Sequence, residues 1–318
     1  MAEYKDNFTK RENMKRAVVT GASSMIGSNL IRILLEQGME VTAVVRPGSK
    51  KLVNVPESEN LTLAFCDVAS LSELPQKVSK SHDAWFHFAW TNTYGEARND
   101  IGAQEKNIQY TLDAVKAAHE MGCEVFVGAG SQAEFGRCEG KLSDEMPKNP
   151  ETAYGIAKYS AGKLSKLLCE QLGMRHVWGR ILSTYGPGDN SYTMVMSAII
   201  NMLKGEHMAF TKGEQMWDYI YAGDCANAFY LMGRKGVHGR TYTVGSGQGR
   251  MLKDYILDIR DVVNPELEVG IGERAYNPGQ VMYLVADISQ LQEDTGFKPE
   301  MDFKEGIKRT CEYYQNIN

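Results

Sequence analysis

The sequence predicts an α/β fold: a doubly wound parallel sheet with a smaller, mixed lobe at the C-terminal end. Three observations predict it. Short, continuously apolar runs alternate with segments of helical periodicity through the first half of the chain, the pattern of strands buried on both faces. A glycine-bearing turn, Gly21-Ala-Ser-Ser-Met-Ile-Gly27, separates the first run from the first helical segment. From about Tyr185 the rhythm changes to turns, short runs and isolated helices.

Arg16–Thr20 is rich in β-branched residues and predicts the first strand. Ile26, Leu30, Ile33, Leu34 and Leu35 then recur at helical spacing up to Gly38, which suits a C-terminal stop. Val41–Val45 predicts the second strand, ended by Arg46-Pro47-Gly48. Leu61–Phe65 predicts the third, followed by Asp67-Val68, and Ala84–Phe88 the fourth. Residues 100–121 read as helix, with Ile101, Ile108, Leu112, Val115 and Ala118 on one stripe. Val125–Val127 predicts a strand, Tyr154–Leu172 a helix and Val177–Leu182 another strand. After the turn Gly186-Pro187-Gly188-Asp189 come a helix at Thr193–Leu203 and short strands at Met208–Thr211 and Trp217–Tyr221. Helices at Met251–Val263 and Phe303–Tyr314 complete the reading. Met194 and Met196 read as core or lid residues of the small lobe.

With 318 residues, 43% of them hydrophobic and 24% charged, the chain can bury a sizeable core. A formal net charge of -5 gives no reason to expect a nucleic-acid or membrane-surface partner. No apolar run is long enough to span a bilayer, and the polar N-terminus lacks the apolar centre of a signal peptide. Residues 1–14 therefore read as a loose leader. Cys66, Cys123, Cys138, Cys169, Cys225 and Cys311 are scattered, without a Cys-x-x-Cys, and read as reduced thiols of a cytoplasmic protein. Neither they nor the histidines show metal-ligand spacing, so no metal is expected.

A glycine turn at a strand-to-helix junction lets the backbone approach a pyrophosphate, where free N–H groups and the helix dipole favour anions. Gly21 and Gly27 fit that role, with Ser23, Ser24, Met25 and Ile26 between them and no middle glycine. The residue ending the second strand selects the cofactor: a carboxylate accepts from ribose hydroxyls, whereas arginine accommodates a 2′-phosphate. Arg46 stands there, with Ser49, Lys50 and Lys51 following, so NADP(H) is preferred and NAD(H) is the alternative. Asp67 either accepts from an adenine amino group or caps the segment that begins at Val68. His87, at the end of a buried strand, reads as a packed or hydrogen-bonded histidine.

Tyr154 and Lys158 lie one helical turn apart on one face. A neighbouring ammonium favours phenolate, which would lower the Tyr154 pKa and make it an acid/base for a hydroxyl or ketone.

Taken together, these segments resemble the short-chain dehydrogenase/reductase superfamily, in particular its extended, nucleotide-sugar-modifying branch, the NAD-dependent epimerase/dehydratase family. The resemblance runs from about Arg16 to Tyr314. It rests on Thr20-Gly21…Gly27, Asp67-Val68, His87-Phe88-Ala89, Asn107 and Gly130-Ser131-Gln132-Ala133-Glu134-Phe135-Gly136. It continues through Tyr154-x-x-x-Lys158, Arg180-x-x-x-x-Tyr185-Gly186-Pro187, Trp217-Asp218-Tyr219-Ile220-Tyr221 and Asp287-Ile-Ser…Thr295-Gly-Phe-Lys-Pro299. It implies a Rossmann-type sheet in which residues 15–185, joined by 222–248, bind the dinucleotide. Residues 186–221 and 249–318 would form the substrate lobe.

The resemblance also implies roles. Tyr154 moves the proton, Lys158 binds the nicotinamide ribose and lowers the Tyr154 pKa, and Ser131 hydrogen-bonds the reacting oxygen. Phe88, Ala89, Trp90 and Asn107 belong with the cofactor. A nucleotide-diphosphate sugar would lie against Trp90, Tyr94, Gln132, Ser183, Trp217 and Arg274, with Glu134 a second candidate for sugar hydroxyls. Trp90, Tyr94 and Trp217 either stack on the ligand or are packed. A homodimer is implied through the helices near 100–120 and 154–172, where Ala157, Ala161 and Gly162 permit close approach.

The departures narrow the reaction. Dehydratases of this branch carry Asp-Glu after the position of Ser131; Gln132-Ala133 cannot serve as that pair, so dehydration is rejected. Trp217 replaces an arginine before Asp218, Ser183 replaces an asparagine, and Asn277 replaces an arginine for which Arg274 could substitute. The expected activity is NADPH-dependent reduction of a nucleotide-linked 4-keto(-6-deoxy) sugar with Tyr154 as proton donor. The alternative is a 4-epimerase with retained NAD(P). A non-catalytic dinucleotide sensor is the reading from another class, opposed by the intact Ser131, Tyr154 and Lys158.

Overall fold

The computed structural model describes residues 14–78 and 81–317, so the expected leader lies outside the described residues except for Met14. Continuous apolar runs become β1 (Arg16–Thr20), β2 (Glu40–Val45), β3 (Leu61–Phe65), β4 (Ala84–His87), β5 (Val125–Ser131) and β6 (Arg175–Ile181). β7 (Ser183–Tyr185), β8 (Ala209–Phe210), β9 (Met216–Trp217) and β10 (Tyr219–Tyr221) build smaller sheets. β11 (Thr241–Val244) returns to the main one. The result is a seven-stranded sheet in the order β11-β6-β5-β4-β1-β2-β3. Every pairing in it is parallel, with Val18 facing Thr42 on one side and Trp85 on the other.

Alternation along the strands feeds two cores. Ala17, Val19 and Phe86 pack with Leu30, Leu34 and Phe229 of the helices Met25–Glu36 and Ala222–Lys235. Val18, Trp85 and Phe126 pack on the opposite face with Ala114, Val115 and Ala118 of the helix Ile101–Glu120 and Cys169 of the helix Ala153–Gln171. Each such fully buried large side chain contributes about 1.5–3 kcal/mol. The strand order reverses between β1 and β4, and the crevice outside the carboxyl ends of those strands is where such sheets bind ligands.

Two expected elements differ. β5 runs on to Ser131, past the expected Val127, because Gly128-Ala129-Gly130 stays paired to β6. Its glycines make room for the Trp178 ring; a Cβ at Gly128 would lie 2.1 Å from it. The expected strand Trp217–Tyr221 is split at Asp218. β9 pairs with β12 (Arg250–Met251) and β14 (Tyr283–Leu284), whereas β10 pairs with β7. Asp218 is fully buried and accepts from Ser246 N (2.8 Å), Ser246 Oγ (2.6 Å), Gly247 N (2.9 Å) and Ala286 N (3.1 Å). That demand for four donors breaks the strand.

β8 pairs with β13 (Gly270–Ile271), and the small lobe has its own core. Met196, Ile199 and Met202 of the helix Met194–Leu203 meet Tyr255, Ile259, Phe303 and Ile307 there, and Met194 packs against them. No described helix is long and apolar enough to cross a membrane.

Candidate active site

The turn after β1 lies flat against the end of β4. Gly21 takes φ +68°, and a Cβ on it would stand 2.9 Å from the backbone of Phe88 and Ala89. A Cβ on Gly27 would lie 2.4 Å from Gly21 O. Ser24 caps the following helix, its Oγ accepting from Gly27 N at 3.1 Å. Met25 and Ile26 open that helix, where first-turn N–H groups lack intrahelical acceptors.

A cleft of about 660 Å³ follows from there. Gly21, Ser23 and Ser24 form one wall; Arg46, Ser49, Lys50 and Lys51 another; Asp67 and Val68 a third. Phe88, Ala89, Trp90 and Thr91 close its inner end, and Asn190 and Tyr192 overhang it. Asp67 is the only carboxylate among the described residues lining it. Its Oδ1 also accepts from Ala69 N at 3.0 Å, so the capping and the cleft placements are met together. Lys51 Nζ donates to Asn190 Oδ1 at 2.7 Å, and Ser23 Oγ lies 3.2 Å from Ser49 Oγ. Tyr94 stacks on Tyr192 with ring centroids 3.5 Å apart.

Beside Trp90 of that cleft stand the end of β5 and the start of the helix Ala153–Gln171. Ser131 ends β5, and its Oγ accepts from Ala133 N at 3.2 Å. Thr152 caps the helix by accepting from Gly155 N at 3.0 Å, setting Tyr154 on its first turn. Lys158 is buried; its Nζ donates to Ala129 O at 2.6 Å and sits 3.7 Å above the Trp90 ring. Trp90 donates Nε1–H to Gln104 Oε1 at 2.9 Å and meets Tyr154 edge-on at 6.1 Å. The Arg98 guanidinium lies 4.4 Å over the Tyr154 ring, nearer than Lys158 Nζ at 5.9 Å.

This geometry corrects the expected phenol. Burial raises the Tyr154 pKa above its ordinary value and wins over the hydrogen bond from Ser131 and the charge of Arg98, which lower it; Glu134 raises it further. The Lys158 Nζ itself is turned to Ala129 O and the Trp90 ring. Burial also pushes the Lys158 pKa down to about 7, against the pull of Glu134. His87 is buried with Nδ1 2.8 Å from Thr20 Oγ1, and desolvation pushes its pKa to about 3, so it is neutral. Ser131 and Tyr154 side by side can both bond one oxygen of a ligand.

Other candidates fall elsewhere. Glu134 is buried with both carboxylate oxygens engaged, accepting from Ser131 N (2.9 Å), Trp178 Nε1 (3.0 Å) and Arg180 Nε (2.6 Å). It braces the Ser131 turn from inside the fold. Asn107, expected at the cofactor, is buried behind the cleft wall. Its Oδ1 accepts from Thr91 N and Oγ1 (both 3.1 Å), and its Nδ2 donates to Thr91 O (3.0 Å). Asn107 thus holds the loop that lines the cleft. Trp217 Nε1 donates to Ser183 Oγ at 2.8 Å, linking two expected substrate contacts to each other. Gln132 is half-buried beside Ser131, and Arg274 is exposed on the loop after β13. Arg98, Thr91, Asn190 and Tyr192 carry no motif; each reaches the site through a loop whose course only the folded chain fixes.

The chain matches the NAD dependent epimerase/dehydratase family over residues 17–245. It is similar to a solved UDP-N-acetylglucosamine 4-epimerase from Methanobrevibacter ruminantium M1, in complex with UDP-N-acetylmuramic acid. The two are 25% identical with a TM-score of 0.86, covering 96% of this chain and 100% of that one. A UDP-glucose 4-epimerase from Thermus thermophilus in complex with NAD shares the fold at 22% identity and a TM-score of 0.82, covering 95% and 100%. The CDP-abequose synthase of Salmonella typhimurium is 26% identical over 300 residues, 92% of this chain and 95% of that protein.

Proposed function

The chain belongs to the NAD dependent epimerase/dehydratase family, an enzyme family of the extended short-chain dehydrogenase/reductase type, and on that footing we propose that it reduces a nucleotide-linked 4-keto sugar with NADPH. The observation that carries this reading is a cleft with Arg46, Lys50 and Lys51 along one wall and Trp90 in another, where Trp90 meets Tyr154 edge-on at 6.1 Å and Ser131 hydrogen-bonds that phenol. Flat glycine backbone at Gly21 and Gly27, an open helix start at Met25 and a cationic rim fit a dinucleotide with an extra phosphate. Bound there, the nicotinamide would supply the hydride.

Everything else falls to this chain's own groups. Ser131 Oγ–H and Tyr154 Oη–H bond the carbonyl oxygen and hold it as charge develops. Tyr154 gives up its proton to that oxygen, and a phenol whose pKa is held high by burial stands protonated and ready to donate at neutral pH. Trp90 and Lys158 wall the nicotinamide end, and Asn107 keeps the Thr91 turn in place beneath it. We assign residues 15–185 with 222–248 to cofactor binding. Residues 186–221 and 249–318 are assigned to the nucleotide-diphosphate sugar, with Tyr94, Gln132, Ser183, Trp217 and Arg274 the residues to test. The same reading makes the protein a cytoplasmic homodimer.

A 4-epimerase with retained cofactor is the second reading. It is favoured by the similarity to the 4-epimerase of M. ruminantium and by the Lys51–Asn190 and Tyr94–Tyr192 contacts over the cleft.

The test is to denature purified protein, identify any released nucleotide, and titrate emptied protein with NADPH and NADH. For the reductase the site comes out empty and binds NADPH about tenfold or more tighter than NADH, as one charge-assisted contact gives, and Arg46→Ala abolishes the difference. Stoichiometric NAD(P) in the denatured supernatant decides for the epimerase. Equal affinity for the two cofactors removes the NADP(H) assignment.

A further inference from the structure

We propose that Arg98 is a positioning residue for proton transfer at Tyr154: its guanidinium, fixed over the phenol face, is the permanent cation of the site. The proposal rests on the acid/base reading of Tyr154 and adds a residue that none of the motifs contains.

The geometry is built, not incidental. Arg98 lies in the turn Gly95–Asn99. That turn is fastened to the catalytic helix, because Asn99 Oδ1 accepts from Ala153 N at 3.2 Å. The preceding loop is fastened to the helix Ile101–Glu120: Gln104 Nε2 donates to Asn92 O at 2.9 Å, and Asn107 binds Thr91. Asn92 sits at φ 54°, a left-handed turn that asparagine tolerates, within this loop. The Arg98 Cζ then lies over the Tyr154 ring, 4.4 Å from its centroid, within cation–π range. Its Nε is buried and has no hydrogen-bond partner among the described residues.

The groups around Tyr154 come from every neighbouring element. Lys158, on its own helix, holds its ammonium 5.9 Å from the phenol ring and against Ala129 O and Trp90. Lys158 also titrates near neutrality, at about 7, so its charge is not constant there. Glu134, in the turn after β5, brings negative charge that favours the neutral phenol, and Ser131 at the end of β5 hydrogen-bonds it. Arg98 favours phenolate and does not lose its proton. When the Tyr154 O–H bond breaks and the proton moves to a carbonyl oxygen, a phenolate is left. Arg98 is placed to offset that charge at every working pH. In the reverse direction the same cation eases the phenol's deprotonation.

The test reads Tyr154 alone and needs no substrate. A fluorinated tyrosine, more acidic than tyrosine, is placed at position 154 and its ionisation followed by ¹⁹F NMR in three backgrounds: Arg98 intact, Arg98→Met and Arg98→Lys. Arg98→Met keeps an apolar stem over the ring and removes the charge. Its midpoint should rise by about one pH unit or more, the effect of removing an opposite charge at this range, and Arg98→Lys should recover part of the shift. A midpoint unmoved in Arg98→Met overturns the proposal, as does Arg98→Lys shifting as far as Arg98→Met, the pattern of a purely structural role. Cofactor binding by the same samples reports folding separately. Its loss with Arg98 intact would count against the proposed function, while the titration would still judge Arg98.

Discussion

Burial, rather than the expected lysine, sets the chemistry of the paired residues. Lys158 is 4% exposed, and its folded pKa of about 7 lies below the ordinary lysine value of 10.5. Between those values the unfolded chain binds one more proton than the folded one, so stability rises with pH through that window. Below about 7 the full cost of burying the ammonium is present. The urea midpoint of the wild type relative to Lys158→Met is therefore expected to climb from pH 7 towards pH 10.5, followed by far-UV circular dichroism. A flat difference across that range would mean that the ammonium is not desolvated. Glu134 shows the same lesson from the other side. Close to Ser131 in sequence it looks available to a ligand, yet it is buried and engaged by Arg180, Trp178 and the Ser131 amide.

Among the elements, the strands of the sheet follow their apolar runs closely, and the loops decide what the cleft becomes. The loop after β4 and the loop around Tyr192 touch through the Tyr94–Tyr192 stack, and Lys51 reaches Asn190 across the same opening. Asn190 and Tyr192 line the cleft in which the dinucleotide is proposed to bind. An aromatic pair contributes about 0.5–1.5 kcal/mol beyond its area, so Tyr192→Ala should speed cofactor release by about threefold to tenfold in a stopped-flow displacement. An unchanged release rate would show that the stack does not gate the cleft. Sequence reading placed Tyr94 near the ligand but could not supply Tyr192, because stacking partners distant in the chain leave no spacing signal. It also missed the split at Asp218, since periodicity sees apolar neighbours and not the amides that converge on a buried carboxylate.

For the whole molecule, the proposed dimer face has to be redrawn. Ala157, Ala161 and Gly162 are buried inside this chain, so they serve its own packing. What the helix Ala153–Gln171 leaves exposed is a stripe of Ile156 (50%), Leu164 (43%) and Leu167 (54%), with Ile101 (76%) on the neighbouring helix. Apolar side chains in a row on a helix face are the kind that association covers. Leu164→Glu with Leu167→Glu should turn a dimer into a folded monomer in sedimentation velocity. A wild type that already sediments as a monomer would end the homodimer reading.

The sequence by itself determined the doubly wound sheet, the glycine turn between Gly21 and Gly27, and the placing of Ser131 at a strand end and of Tyr154 and Lys158 on one helix. Those are local facts: buried parallel strands need continuous apolar runs, a flat turn needs glycine, and two residues one helical turn apart share a face. Only the tertiary structure decided that Arg98 overlies Tyr154, that Asn107 and Glu134 brace loops, and that burial raises the phenol's pKa instead of lowering it. Such outcomes depend on which charges and dipoles from distant segments end up within a few ångströms, and on how much water is left between them. Desolvation and charge–charge energies act through space, so no pattern along the chain reports them.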